Sequence, residues 1–202
     1  MKNGDTLDIA DGQGTFYHTR ITNANASQCE FEIISTKKIP RRSFEISIAI
    51  APTKNIDRIE WFVEKAVEVG IEKIIFMECK NSERHHLNHE RMMKIVVSAM
   101  KQSAQAWLPE VTPLLSFKDV LKLQADQKFI CHATDESPRM LFVSAKKQAS
   151  YLVLIGPEGD FAQEEIDTAL SAGFEMVSLG PTRLRTETAA LTAFQFLNFI
   201  NL

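Results

Sequence analysis

The sequence predicts an α/β protein built on a mainly parallel sheet, with a small antiparallel β unit ahead of it. Three observations point there. From residue 43 onward, short apolar runs alternate with stretches of helical periodicity, the pattern of strands joined by crossover helices that cover both faces of a sheet. Two apolar runs end in Gly-Pro, at Gly156-Pro157 and Gly180-Pro181, and ligands of such sheets bind at loops beyond the carboxyl ends of strands. The first 42 residues have a different texture, with short runs rich in Thr, Ile, Phe and Tyr broken by turn residues. With 202 residues, 45% hydrophobic and 24% charged, the chain can bury one core of ordinary size plus an appendage.

Taken in order, "DTLDIADGQGTFYHTRITNA" and "QCEFEIISTKKI" read as strands with hairpin turns at Asp11-Gly12 and at Asn23 to Ser27. The segment "KKIPRR" sets Lys37, Lys38, Arg41 and Arg42 around Pro40. It marks a boundary between a unit over 1–42 and one over 43–202, and is either a solvated linker or a patch for RNA phosphates. "FEISIAIA" is a strand, followed by a helix in "KNIDRIEWFVEKAVEVG", where Ile56, Ile59, Phe62, Val63, Ala66 and Val67 share a face and Gly70 suits the cap. "EKIIFME" is the next strand, and a helix runs through "HERMMKIVVSAMKQSAQA" until Pro109 stops it. Further strands fall at "KFICHA", "YLVLIG" and "EMVSLG", and further helices at "QEEIDTALSAG" and "TETAALTAFQFLNFI". In that last helix Ala189, Ala190, Leu191, Phe194, Phe196, Leu197, Phe199 and Ile200 are apolar nearly all round, so it must be buried on more than one side.

Composition excludes some classes. No stretch approaches the ~18 apolar residues of a spanning helix, the N-terminus lacks a signal-peptide core, and a cytoplasmic location is expected. Cys29, Cys79 and Cys131 are too far apart for a CxxC knuckle and are expected to be reduced thiols. A formal charge of -3 leaves any nucleic acid to be met by a local patch. His85 and His89, with His86 and Glu90 beside them, lack HExxH spacing and are read as solvated, with no metal expected.

The turn "GPEGD" narrows the ligand. Pro157 has no N–H to offer, and Glu158 and Asp160 would repel phosphate. An acidic, glycine-flanked loop suits a neutral or cationic ligand approached by backbone, such as S-adenosylmethionine; a plain strand-to-helix turn is the other reading. Asp160, with Gln163 three residues on, is expected to cap the following helix.

The second turn, "LGPTRLRTETA", places Arg183 and Arg185 before a helix whose first turn holds Thr186, Glu187 and Thr188. Together with "GPEG", "KNIDRIEWFVEKAVEVGIEKI", "NSER" and "AMKQSAQAWLPEV", it resembles the RsmE family of 16S ribosomal RNA methyltransferases, which methylate a uridine at N3. The resemblance implies a SPOUT-type parallel sheet with a C-terminal trefoil knot, preceded by a PUA-like β domain that is truncated here. It implies S-adenosylmethionine in loops at Cys131 to Thr134, Ile155 to Gly159 and Leu179 to Thr186, with His132, Ala133, Ile155, Gly156, Gly159, Leu179, Gly180, Leu184 and Thr186 as contacts. A homodimer through the last helix and knot, and the small ribosomal subunit as partner, are implied too.

Uracil N3 is a poor nucleophile while protonated, so transfer requires proton removal or stabilisation of the anion. Arg185 is the candidate for the uracil oxygens, Arg183 for substrate phosphate, and Glu158 or Glu187 for the proton. Alternatively Arg185 and Glu187 pair across the turn and fix its shape. Arg84, with Ser82 and Glu83, is expected on the RNA side. Where the family commonly has Glu and a basic residue, this chain has Lys101 and Gln105. Two other functions stay open, a SPOUT methyltransferase for a ribose hydroxyl or another base, and a ribosome-binding assembly protein without activity.

Overall fold

The computed structural model describes residues 1–132 and 138–202. The N-terminal unit is a three-stranded antiparallel sheet in the order β1 (Thr6–Ala10), β2 (Thr15–Ala24), β3 (Cys29–Lys38). Both expected hairpins are present. The outer strand β3 is exposed along its whole length.

A six-stranded sheet, parallel throughout, follows in the order β6-β5-β4-β8-β7-β9. Its strands are β4 (Glu45–Ile50), β5 (Lys73–Glu78), β6 (Glu110–Ser116), β7 (Gln127–Cys131), β8 (Ser150–Ile155) and β9 (Glu175–Val177). Helices α1 (Ile56–Val69), α2 (His89–Gln102) and α6 (Thr186–Asn201) cover one face, and α3 (Phe117–Val120) and α5 (Gln163–Ser171) the other; α4 (Leu141–Ser144) packs on α6. Alternate residues feed the two cores. Ile46, Ile48 and Ile50 face α1 and α6, while Ala49 and Ala51 join Ile75, Leu152 and Leu154 on the α5 side. Burial on both faces is why these strands read as continuous apolar runs.

Local chemistry sets the helix ends. Asn55 accepts the Asp57 N–H at the start of α1, and Gly70 closes it in the left-handed region at φ 89°. Helix α2 ends at Gln102, short of the expected Ala106, because Ala104 turns left-handed at φ 52°. Strand β6 was not foreseen. It carries Pro113, which lacks a ladder N–H, and lies at the sheet edge with a register shift opposite Ile74 and Phe76, the setting in which a strand tolerates proline.

The two units are joined tightly. Gly14 N–H donates to Ala106 O at 2.9 Å and Leu108 N–H to Gly12 O at 2.9 Å, while within the small unit Ile39 N–H donates to Gly14 O at 2.8 Å. Trp107 Nε1 donates to Ile39 O at 3.0 Å, and the Arg41 guanidinium lies 4.3 Å from the Trp107 ring centre. A Cβ on Gly14 would come within 2.3 Å of that indole, so the close approach requires glycine.

Arg42, expected at an RNA surface, is instead an internal clamp. Its guanidinium pairs with Glu72, donates to Asn198 Oδ1 at 2.8 Å and to Gly70 O, and lies over the Phe44 ring. Glu72 also accepts the Ile46 N–H at 2.9 Å. Burial pushes the Glu72 carboxyl above its ordinary range, against the downward pull of Ile46 N–H and Arg42. Among the described residues no helix is long and apolar enough to cross a membrane.

Candidate functional site

A cleft of about 390 Å³ opens at the carboxyl ends of β7, β8 and β9. Its apolar lining includes Ile155, Val177, Leu179, Leu184 and Ala189. Glu158 and Asp160 contribute acid from the β8–α5 loop, and Arg183 and Arg185 base from the β9–α6 loop. The volume lies within the range of small-molecule sites, about 300–1,000 Å³. Gly180, at φ 141°, has open space where a Cβ would stand, while its N–H donates to Ser178 Oγ and its carbonyl accepts from the same hydroxyl, each at 3.2 Å.

Of the residues singled out from the sequence, His132, Ile155, Gly156, Leu179, Gly180, Leu184, Thr186, Glu158, Arg183 and Arg185 line this cleft. Ala133 lies outside the described residues. Gly159 turns toward Asn81, whose side chain donates to Gly159 O at 3.3 Å and to Asp160 O at 3.0 Å. Glu187 is not on the cleft wall. It is buried with its Oε1 3.9 Å from Arg58 Nε, and its Oε2 has no hydrogen-bond partner among the described residues. Among the described residues Arg185 forms no ion pair, so the turn does not hold its shape through an Arg185–Glu187 bridge.

Arg84 is also spoken for. Its Nε donates to Thr53 O at 3.0 Å and its Nη2 to Lys54 O at 2.5 Å. Glu83 pairs with Lys54 at 2.8 Å, and Ser82 Oγ accepts the Cys79 N–H at 2.9 Å. Lys54 N–H in turn donates to Glu158 Oε1 at 3.1 Å. The "NSER" loop thus braces the loop after β4 and, through Asn81, the β8–α5 loop. The histidines nearby are engaged too: His85 Nδ1 is 2.6 Å from Glu78 Oε1, and His89 Nε2 is 2.9 Å from Val111 O. Lys37 and Lys38 remain exposed on β3.

Asp160 does not cap α5. The N-cap is Ala162, which has no side-chain oxygen, so only half of a capping box forms, with Glu165 Oε2 accepting the Ala162 N–H at 3.0 Å. Asp160 sits in the left-handed region at φ 59° and accepts the Phe161 N–H on Oδ1 at 2.8 Å. Its Oδ2 lies 2.9 Å from His132 Nδ1, off the line of a hydrogen bond, so the buried Nδ1 keeps no hydrogen-bond partner. This pair was missed in the sequence because the two residues are 28 positions apart and an Asp after a turn Gly reads as a cap. Cys131, at the end of β7, also lines the cleft, and burial raises its thiol so that it stays protonated.

Residues 40–198 match the RNA methyltransferase domain family. The ribosomal RNA small subunit methyltransferase E of Rickettsia conorii is 26% identical over 196 residues, covering 96% of this chain and 80% of that protein. A probable rRNA-methyltransferase from Porphyromonas gingivalis has a solved structure that is 37% identical, with a TM-score of 0.93 over 100% of this chain and 87% of that one. A Legionella pneumophila protein solved in complex with the cofactor SAM is 26% identical, with a TM-score of 0.89 over 100% of this chain and 85% of that one.

Proposed function

Because the chain belongs to the RNA methyltransferase family, as its RsmE-like motifs predicted, we propose that it methylates N3 of a uridine in 16S ribosomal RNA with S-adenosylmethionine as donor. The observation that carries this reading is the cleft itself: it opens after adjacent parallel strands, with no phosphate cradle among the described residues, acid on one wall and two arginines on another. Ile155, Gly156, Leu179, Gly180, Leu184 and Thr186 would hold the cofactor. When bound it supplies an electrophilic methyl carbon, whose bond to sulfur breaks, leaving the electron pair on sulfur, as the bond to N3 forms. Arg185 steadies the charge that develops on the uracil oxygens, and Arg183 meets substrate phosphate.

In this reading β7, β8, β9 and α6 form the trefoil knot, and residues 1–42 form a PUA-like unit that contacts RNA. Lys37 supports that role. It lines a groove between the small sheet and α2 that also holds Lys101, His18, Phe16 and the acids Asp8 and Asp11, so Lys37, Lys101 and Phe16 are the part of it that would meet a nucleic-acid strand. The direct test is calorimetry with S-adenosylmethionine, joined to mass spectrometry of ribosomal RNA from cells lacking the protein. Saturable binding and loss of the N3-methylated uridine are expected; persistence of that nucleotide would reject the substrate, and absence of binding would reject the enzyme.

The same reading includes a homodimer across α6. Phe199 is 65% exposed and Val143 61% exposed, beside Phe142, which packs edge-on against Phe196 at 5.2 Å. Such apolar surface on a helix that also closes the core calls for a partner. Phe199→Asp is expected to shift the protein from dimer to monomer in sedimentation velocity without lowering the helix content; an unchanged mass would point to another interface.

A further inference from the structure

From the cleft geometry we infer that His132, with the Asp160 carboxylate beside its Nδ1, accepts the N3 proton during methyl transfer; the inference rests on the uracil-N3 reading above. The two carboxylates first considered for that task are poorly placed. Glu187 is off the cleft beside Arg58, and Glu158 is exposed with Oε1 engaged by Lys54 N–H. Arginines accept no proton, and the Cys131 thiol stays protonated. Asp160 has one oxygen on Phe161 N–H and the other against His132.

A carboxylate oxygen 2.9 Å from Nδ1 repels a lone pair there, so Nδ1 carries the proton. In the neutral ring the free lone pair is then on Nε2. Nδ1 is buried while 19% of the His132 side chain stays exposed, in a residue that lines the cleft, so a ligand reaches the ring at an edge other than Nδ1. In this proposal that edge is Nε2. The off-line Nδ1 contact is of the kind that tightens when a substrate closes the site. Asp160 is a positioning residue, and its backbone bears a cost for the role. A left-handed conformation is disfavoured for a residue that carries a Cβ, in a turn where glycine would be free of it. The proton leaves N3 for Nε2, its electron pair stays on N3 and makes the new bond to methyl, and the imidazolium later releases the proton to water.

The experiment uses the full chain and three readouts. His132→Ala is expected to keep S-adenosylmethionine affinity within about threefold while single-turnover methyl transfer to small subunits falls roughly 100-fold or more, the usual scale for a lost general base. Asp160→Gly removes the carboxylate and relieves the strained φ, so it should melt no lower than the parent. Nitrogen NMR of the unliganded protein should show the Nδ1–H tautomer of His132 in the parent and a shift toward Nε2–H in Asp160→Gly, with slower transfer. Equal losses of affinity and transfer in His132→Ala would make His132 a cofactor contact and overturn the inference, as would undiminished transfer or an unchanged tautomer in Asp160→Gly. If the parent itself fails to bind S-adenosylmethionine, the methyl-transfer reading fails first.

Discussion

Arg185→Ala should lower single-turnover methyl transfer roughly 100- to 1,000-fold while changing S-adenosylmethionine affinity by less than about threefold. The asymmetry follows from position. Arg185 stands at the N-cap of α6 without a side-chain capping bond, exposed at the mouth of the cleft, and among the described residues no carboxylate holds it. In the proposed reaction its charge would be free to act on the uracil oxygens, which become more negative as the N3 proton leaves. A ground-state cofactor contact would lose affinity and rate together, and that outcome in paired calorimetry and stopped-time assays would reassign the residue. Arg185→Lys should recover only part of the rate, because a point charge cannot offer a planar fork to two oxygens.

The second large effect is on stability and comes from Arg42. Arg42→Ala is expected to cost about 2 kcal/mol, below the usual 3–5 for breaking a buried pair because the guanidinium keeps some solvent contact. In a chain of this size that lowers Tm by roughly 4–8 °C. Glu72 would lose its cation, and burial would then hold its carboxyl further above the unfolded value. A carboxyl raised in this way contributes its stability below the unfolded pKa and loses it as pH rises through the folded one. The deficit should accordingly be smaller near pH 5 than near pH 8 in thermal melts of parent and variant. A surface residue reserved for RNA would leave both melts alike.

The contrast between Arg42 and Arg185 shows what the sequence could convey. Local periodicity was enough to find α1, because Ile59, Phe62, Val63, Ala66 and Val67 repeat on one face and Gly70 ends it. It was enough for β4 and β8, whose apolar runs reflect burial on both faces. The cleft was legible through two Gly-Pro strand ends and the motif around Arg185. Charge partners were not. Arg42 meets Glu72 and Asn198, which are 30 and 156 positions away, and Arg84 meets carbonyls of Thr53 and Lys54. A basic residue next to a proline or in a polar loop looks the same whether it faces water or the inside of a neighbouring unit. Strand β6 was hidden for a similar reason, since Pro113 signals a break unless the strand is known to lie at an edge. Asp160 was misassigned because a local cap and a long-range partner compete for one carboxylate, and only the fold brings His132 within reach.

On the proposal that the small sheet contacts RNA, the junction at Gly14 and Trp107 bears on how a target nucleotide is chosen. Two backbone hydrogen bonds tie the β1–β2 turn to the segment following α2, and the Trp107 indole N–H of that segment ties down the chain after β3. These ties hold the small sheet against the segment that follows α2. An RNA gripped on that sheet would thus be presented at a set reach, as by a caliper, and nucleotides nearer or farther along the strand would fall outside the jaws whatever their base.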